Sequence, residues 1–245
     1  MKKSENHSLI AISGKPGAGK TSVSKELLHS IPNLVYFDFG AFFRPLALYL
    51  VKYKGISIEQ LKRIVSESKI DKLMSGLNIG YRNNNGEYQI SINGNFFSCE
   101  ELYNPEMDKL TVDVGTCFGD NLNNYIESII SDIRKRNPVL LNARRPFSVC
   151  TDISNHIFLQ ADFHKRAKRK SELDGISFEE ARKYLQKRDD QEQNAGFWEI
   201  HPFTKVIDTT NLEVSTTAQI VKDHIMSYSI PKDINSIEKE EPCHV

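Results

Sequence analysis

The chain has 245 residues, and its 32 Lys+Arg are balanced by 32 Asp+Glu. That length suits one α/β domain with an insertion, and zero formal charge excludes a general attraction to nucleic acid or anionic membrane. Four scattered cysteines without a CxxC pair predict free thiols, and no apolar run reaches membrane-span length, so a monomeric cytoplasmic protein with no nucleic-acid or membrane partner is expected.

The first element is Leu9-Ile10-Ala11-Ile12, a uniformly apolar stretch that predicts a short buried strand. Gly14-Lys15-Pro16-Gly17-Ala18-Gly19-Lys20-Thr21 follows, and Ser22 to Leu28 reads as a helix. A strand, a GxxxxGKS/T segment and a helix in that order form a phosphate-binding loop. Its glycines let backbone N–H groups turn inward, and the helix N-terminus adds partial positive charge. Candidate nucleotide contacts are therefore Gly14, Lys15, Pro16, Gly17, Ala18, Gly19, Lys20, Thr21 and Ser22. Lys20 would reach the outer phosphates of ATP, and the Thr21 hydroxyl would ligate Mg²⁺. The plain alternative is a Gly-rich turn arising by chance, and the flanking strand and helix count against it.

Leu34 to Phe37 predicts a second strand ending in Asp38-Phe39-Gly40, followed by helices over about 41–54 and 57–68. Asp38 has two readings at the strand end: a helix cap, or a group that handles a substrate proton or a Mg²⁺-bound water. Between 77 and 97, Tyr88, Ile90 and Ile92 alternate with Gln89, Ser91 and Asn93. The cluster Asn83-Asn84-Asn85-Gly86 marks a turn, so an inserted antiparallel hairpin is expected. A surface decoration and a substrate-covering subdomain explain it equally well. Further strands are expected at Val139–Leu141, His156–Leu159 and Lys205–Asp208, with an amphipathic segment at 125–130 and a closing helix over 215–227. The alternation of strands and helices predicts a mainly parallel sheet covered on both faces. The expected layout is one phosphate-loop domain over 8–228, with an insertion at about 77–105 and a helical lid at about 163–195. A polar tail over 229–245 completes it.

The arginines complete the picture. Arg44, Arg144 and Arg145 fall at predicted C-terminal strand edges, where open α/β folds bind ligands. Arg166 and Arg169 share one helix face, and Arg188 closes the charged run Lys187-Arg188-Asp189-Asp190. Phosphoryl transfer needs positive charge around the transferring group, and the guanidinium fork grips phosphate bidentately. Arg44, Arg144 and Arg145 would repel one another unpaired, which predicts an anionic small-molecule acceptor. The seven histidines lack metal-ligand spacing, and core packing is the default expectation for Trp198 and Phe197, with packing near the lid as the alternative.

From about Leu9 to Val221 these features resemble the cytidylate kinase family of P-loop nucleoside monophosphate kinases. Besides the phosphate loop and the hairpin, Phe37-Asp38-Phe39-Gly40-Ala41-Phe42-Phe43-Arg44 is similar to the family's LDSGAIYR segment. Ala143-Arg144 is similar to its Gly-Arg-Asp motif, and Arg188-Asp189-Asp190 to the end of its lid. The resemblance implies a three-layer P-loop NTPase fold and an ATP- and Mg²⁺-dependent kinase, with CMP or dCMP as the default acceptor. It implies that Arg44 and Arg144 hold the acceptor's phosphate, and that Arg166, Arg169 and Arg188 close a lid over ATP. Lys20, Asp38, Arg144, Arg166 and Arg188 are then the catalytic candidates, and Asp38, Arg44, Arg144 and Arg145 the acceptor-binding ones. The chain departs from the family pattern at Phe39, Asn142 and Arg145, which replace a Ser and two Asp. It also departs at Val112, Asn121–Asn123 and Ala195, near positions of base-reading or lid residues. Alternatives are a kinase of a small hydroxylated metabolite or antibiotic with Asp38 as base, and a non-catalytic nucleotide-binding regulator.

Overall fold

Leu9–Gly14 forms β1, buried until its last residue, and α1 (Lys20–Ser30) leaves directly from the loop that follows. The computed structural model describes residues 7–84, 86–194, 198 and 200–229. Next come β2 (Val35–Asp38) and α2 (Phe39–Ala47), the latter capped by the Asp38 side chain and running on as a π-helical turn over Leu48–Tyr53. Pro45 lies inside α2 and brings no amide to its ladder. A reciprocal Ser57/Gln60 capping box starts α3 (Ile58–Ser66), and α4 (Ile70–Ser75) leads into the hairpin β3 (Ile79–Asn84) and β4 (Glu87–Ile92). Then follow α5 (Cys99–Leu102), α6 (Pro105–Phe118), a 3₁₀ turn (Gly119–Leu122) and α7 (Asn123–Arg134). The remaining elements are β5 (Val139–Asn142), α8 (Pro146–Val149), β6 (Asn155–Gln160), α9 (Phe163–Asp174), α10 (Phe178–Asn194), β7 (Lys205–Asp208) and α11 (Val214–Ser229).

The sheet has seven strands in the order β3-β4-β2-β5-β1-β6-β7. All neighbours are parallel except β3 and β4, so this is the mainly parallel α/β sheet that the sequence predicts. Register fixes the working edge: Asp38 on β2 lies opposite Asn142 on β5, and Ile12 on β1 lies opposite Asn142 from the other side. The hairpin is antiparallel and extends the main sheet. Tyr36 pairs with Glu87, and the Tyr36 N–H donates to the Gly86 carbonyl at 2.7 Å. Asn85 of its turn lies outside the described residues, while Asn83 Oδ1 accepts from the Gly86 amide at 2.7 Å.

One face of the sheet packs Ile10, Ile12, Leu140 and Ile157 against Val23 and Leu27 of α1 and Val221 and Ile225 of α11. The other face packs Leu9, Ala11, Phe37 and Leu141 against α2, α6 and α7 through Phe42, Leu46, Val114, Phe118 and Ile126. Each fully buried side chain of this size contributes about 1.5–3 kcal/mol, so these faces hold the strand edge rigid beneath the site. The helices α9 and α10 pack on each other beyond β6, joined at Gly175, whose φ of +66° is the left-handed C-cap conformation. No helix among the described residues is long and apolar enough to cross a membrane. The expected tail over 230–245, Cys243, Phe197 and Ala195 all lie outside the described residues.

Candidate active site

Backbone geometry builds the phosphate loop. Gly14 has φ +138°, and a Cβ there would stand 2.0 Å from the Leu159 carbonyl oxygen of the adjacent strand, so no other residue fits. The Lys15 amide donates to that same carbonyl at 3.0 Å, pinning the start of the loop to β6. At Gly17, φ is +76° and a Cβ would meet the Arg166 side chain at 3.1 Å. Gly19 takes a left-handed turn into α1, and no side chain caps that helix. The first-turn amides therefore remain donors for an anion, as helix N-termini facing phosphate do. Thr21 and Ser22 are exposed at this helix start.

Lys20 folds back over the loop, its Nζ donating to the Gly14 carbonyl at 2.7 Å and the Lys15 carbonyl at 3.1 Å. Burial pushes its pKa down to about 8, opposed by Glu192 and Asp38 and reinforced by Arg188 and Arg166. The lysine thus lies within the field of both the sheet edge and the lid. Lys15 places its ammonium 4.6 Å from the centre of the Trp198 ring.

The lid arginines are tied to this loop in different ways. Arg166, 2% exposed, makes a bidentate pair with Asp189 of α10 at 2.9 and 2.7 Å. It also donates to the Ala161 carbonyl at 3.0 Å and the Pro16 carbonyl at 3.1 Å. Its guanidinium is a strut joining α9, α10 and the phosphate loop. Arg169 reaches Thr209, donating to its hydroxyl at 3.1 Å and to its carbonyl. That buried hydroxyl shares its own hydrogen between the Ala18 carbonyl at 3.0 Å and the Gln160 carbonyl at 3.2 Å, so Arg169 supports the loop from behind. Arg188 and Arg144 converge: both Nε groups reach the same Glu192 oxygen, at 3.1 and 2.9 Å. Glu192 is 3% exposed, and burial raises its pKa against the opposing pull of Arg188 and Lys20.

On the acceptor side, one Asp38 oxygen accepts from the Gly40 amide at 2.8 Å, which is the helix-cap role. Burial raises the Asp38 pKa, while the Gly40 hydrogen bond, Arg44, Lys20 and Asn142 oppose the shift. Asn142 Nδ2 also donates to the Tyr36 hydroxyl at 2.9 Å, so the amide stands between the phenol and the carboxylate. Arg44 donates to the Leu102 carbonyl at 2.9 Å, pairs with Asp108 at 2.7 Å and lies 4.7 Å from the Tyr103 ring centre. Arg145 points elsewhere, toward Asp120 at 3.4 Å. The expectation that Arg44, Arg144 and Arg145 crowd one another unpaired is therefore corrected. Each has its own carboxylate, Asp108, Glu192 and Asp120, because the short loop after β5 sends Arg144 and Arg145 in different directions. Mutual repulsion no longer argues for an anionic acceptor.

Glu192 and Thr209 are site residues that the sequence reading misses, and Asp189, which it places in the lid-end motif, has no partner assigned there. Glu192 had a faint signal, since it follows Arg188 by one helical turn and can face the same way. Asp189 is 23 residues from Arg166 and Thr209 is 40 from Arg169, and nothing local announces either pairing.

The residues present fit a nucleotide phosphate carried with magnesium. Side chains at Gly14 and Gly17 would collide with Leu159 and Arg166, so the loop keeps this turn only with glycine there, and its lysine and first-turn amides supply positive charge. Mg²⁺ binds through one or two protein groups plus phosphate oxygens, so a hydroxyl such as that of Thr21 suits it.

The sequence model described as Cytidylate kinase matches residues 10–229. The chain is 29% identical over 219 residues to the "Cytidylate kinase" of Thermosipho melanesiensis, covering 84% of this chain and 90% of that protein. It is 27% identical over 233 residues to the "Cytidylate kinase" of Fervidobacterium nodosum, covering 89% and 95%. It is also 27% identical over 242 residues to the "Bifunctional pantoate ligase/cytidylate kinase" of Prochlorococcus marinus subsp. pastoris, covering 92% of this chain and 44% of that protein. The chain thus spans less than half the length of this bifunctional relative.

Proposed function

The chain belongs to the cytidylate kinase family and is an ATP-dependent phosphotransferase; on that premise we propose that it moves the γ-phosphoryl group of ATP to a nucleoside monophosphate, CMP or dCMP first. The observation that carries this reading is the convergence on Lys20. Its ammonium donates to the Gly14 and Lys15 carbonyls of the loop, and Glu192, whose charge acts on it, gathers Arg144 and Arg188. Phosphoryl transfer is mainly positioning and charge stabilisation, and these are the groups it requires.

In this reading the loop amides and Lys20 would hold the β- and γ-phosphates, and the Thr21 hydroxyl would hold Mg²⁺, which would supply charge neutralisation. Arg144 and Arg188 face the transferring group once a phosphate competes with Glu192 for their N–H donors. Arg166 and Arg169 keep the loop and the lid in register. The acceptor's phosphate lies between Arg44 and Arg144.

A second reading is favoured by one observation: Asp38 stands half-buried at the end of β2 with one oxygen on the Gly40 amide, and desolvation raises its proton affinity. A hydroxylated acceptor would use that carboxylate as general base, whereas an ionised phosphate acceptor needs none. Acceptor-stimulated ADP release, measured with CMP, dCMP, UMP, other nucleotides and hydroxylated metabolites, separates the two. The nucleotide reading expects stimulation by CMP or dCMP and substantial activity in Asp38→Asn. Stimulation by hydroxylated metabolites alone, abolished by Asp38→Asn, would overturn it in favour of the second.

A further inference from the structure

Tyr103 ends α5 at a corner fixed from both sides. Arg44 ties the preceding carbonyl, Leu102, and the following helix, through Asp108, to α2. The next residue, Asn104, accepts from the Met107 amide at 3.0 Å and donates to the Glu100 and Glu101 carbonyls at 2.9 and 3.3 Å. An exposed aromatic residue is ordinary by itself. This one is 57% exposed on a cross-braced corner, with its ring 4.7 Å from a guanidinium that belongs to the proposed acceptor site. Arg44 lies on α2, whose N-cap is Asp38 at the end of β2, so the contact with Arg44 ties the ring to the helix that starts at the sheet edge.

We propose that Tyr103 is the stacking platform for the planar ring of the acceptor, so that this site reads a base by its face. The inference rests on the nucleoside monophosphate reading and deepens it. Edge reading needs free polar groups aimed at the ring, and the amide next to Tyr103 is spent at both ends on backbone. Face reading needs a rigid aromatic surface, and every base offers a π-face to it. Arg44 serves both halves of the acceptor, with its charge for the phosphate and its guanidinium 4.7 Å from the centre of the Tyr103 ring. The consequence is a relaxed kinase, with CMP and UMP differing in kcat/KM by about tenfold or less.

Steady-state kinetics of the wild-type chain, Tyr103→Phe and Tyr103→Ala test this, with CMP and UMP as acceptors and ribose 5-phosphate as a competitive inhibitor that lacks a base. Tyr103→Ala is expected to raise KM for both nucleotides by about five- to a hundredfold. It should leave the ATP KM and the inhibition constant of ribose 5-phosphate unchanged, while Tyr103→Phe keeps wild-type values. An unchanged nucleotide KM in Tyr103→Ala overturns the proposal. So does an equal loss for ribose 5-phosphate, which would mean that Tyr103 only positions Arg44. Wild-type chain that releases no ADP with any nucleoside monophosphate overturns the kinase reading itself, and the stacking role with it.

Discussion

The two halves of the site are built on different principles. On the proposed donor side, eight consecutive residues, Gly14 to Thr21, form the phosphate loop, and the fold clamps them from behind through Leu159, Arg166 and Thr209. On the acceptor side, Asp38, Arg44, Tyr103 and Arg144 come from three separate stretches, and each arginine is held by a carboxylate of the protein. Backbone conformation fixes the first region, whereas the second depends on side-chain pairings that a substrate must rearrange. Glu192 is where they meet, since it binds Arg144 from the strand edge and Arg188 from the lid.

This contrast makes donor-side changes damaging with every acceptor, and acceptor-side changes selective. The largest effect is expected from Asp189→Ala, which leaves the Arg166 guanidinium buried without its partner. Breaking such a pair costs about 3–5 kcal/mol, so thermal or denaturant unfolding should show a clear loss of stability. An unchanged melting temperature would mean that the strut between lid and loop is not structural. Lys20→Ala removes the central charge, and kcat/KM should fall by about 10²–10³-fold for all acceptors, without a comparable loss of stability. A loss confined to one acceptor would erase the distinction between the two halves.

Arg44→Ala should act on the acceptor side alone. Loss of a charge-assisted contact predicts an acceptor KM raised by about tenfold or more with the ATP KM constant. A matching rise in the ATP KM would show that the halves are coupled through α2. The smallest effect is on pH. Lys20, lowered by burial to a pKa of about 8, is protonated below that value and loses its charge as pH rises through it. Bound phosphates favour the charged form, so ATP binding should weaken above pH 8, by at most about tenfold per pH unit. Titration calorimetry from pH 7 to 9.5 measures this directly, and a flat profile would place the lysine's titration outside that window.

How much of this was legible in the sequence follows the same division. The phosphate loop is contiguous, and its glycines, lysine and flanking elements are visible as a pattern. The parallel sheet follows from alternating strands and helices, and the hairpin follows from period-two alternation at Tyr88, Ile90 and Ile92. That β4 would pair with β2 was not legible, because the contact joins Tyr36 to Gly86 and Glu87 across the intervening helices. Nor was the pairing of Arg44 with Asp108 or Arg145 with Asp120. A single sequence shows charges in order, but only the fold decides which of them share a surface. Arg44, Arg144 and Arg145 stand in the sequence as charges without partners, whereas the structure gives them Asp108, Glu192 and Asp120.

The most direct test of the account follows the phosphoryl group itself. ATP labelled in its γ-phosphate, incubated with the chain, Mg²⁺ and CMP, should yield label in the nucleoside diphosphate, and Lys20→Ala should slow that transfer by about 10²–10³-fold. Label recovered only as inorganic phosphate, or retained in ATP with every nucleoside monophosphate supplied, would contradict it.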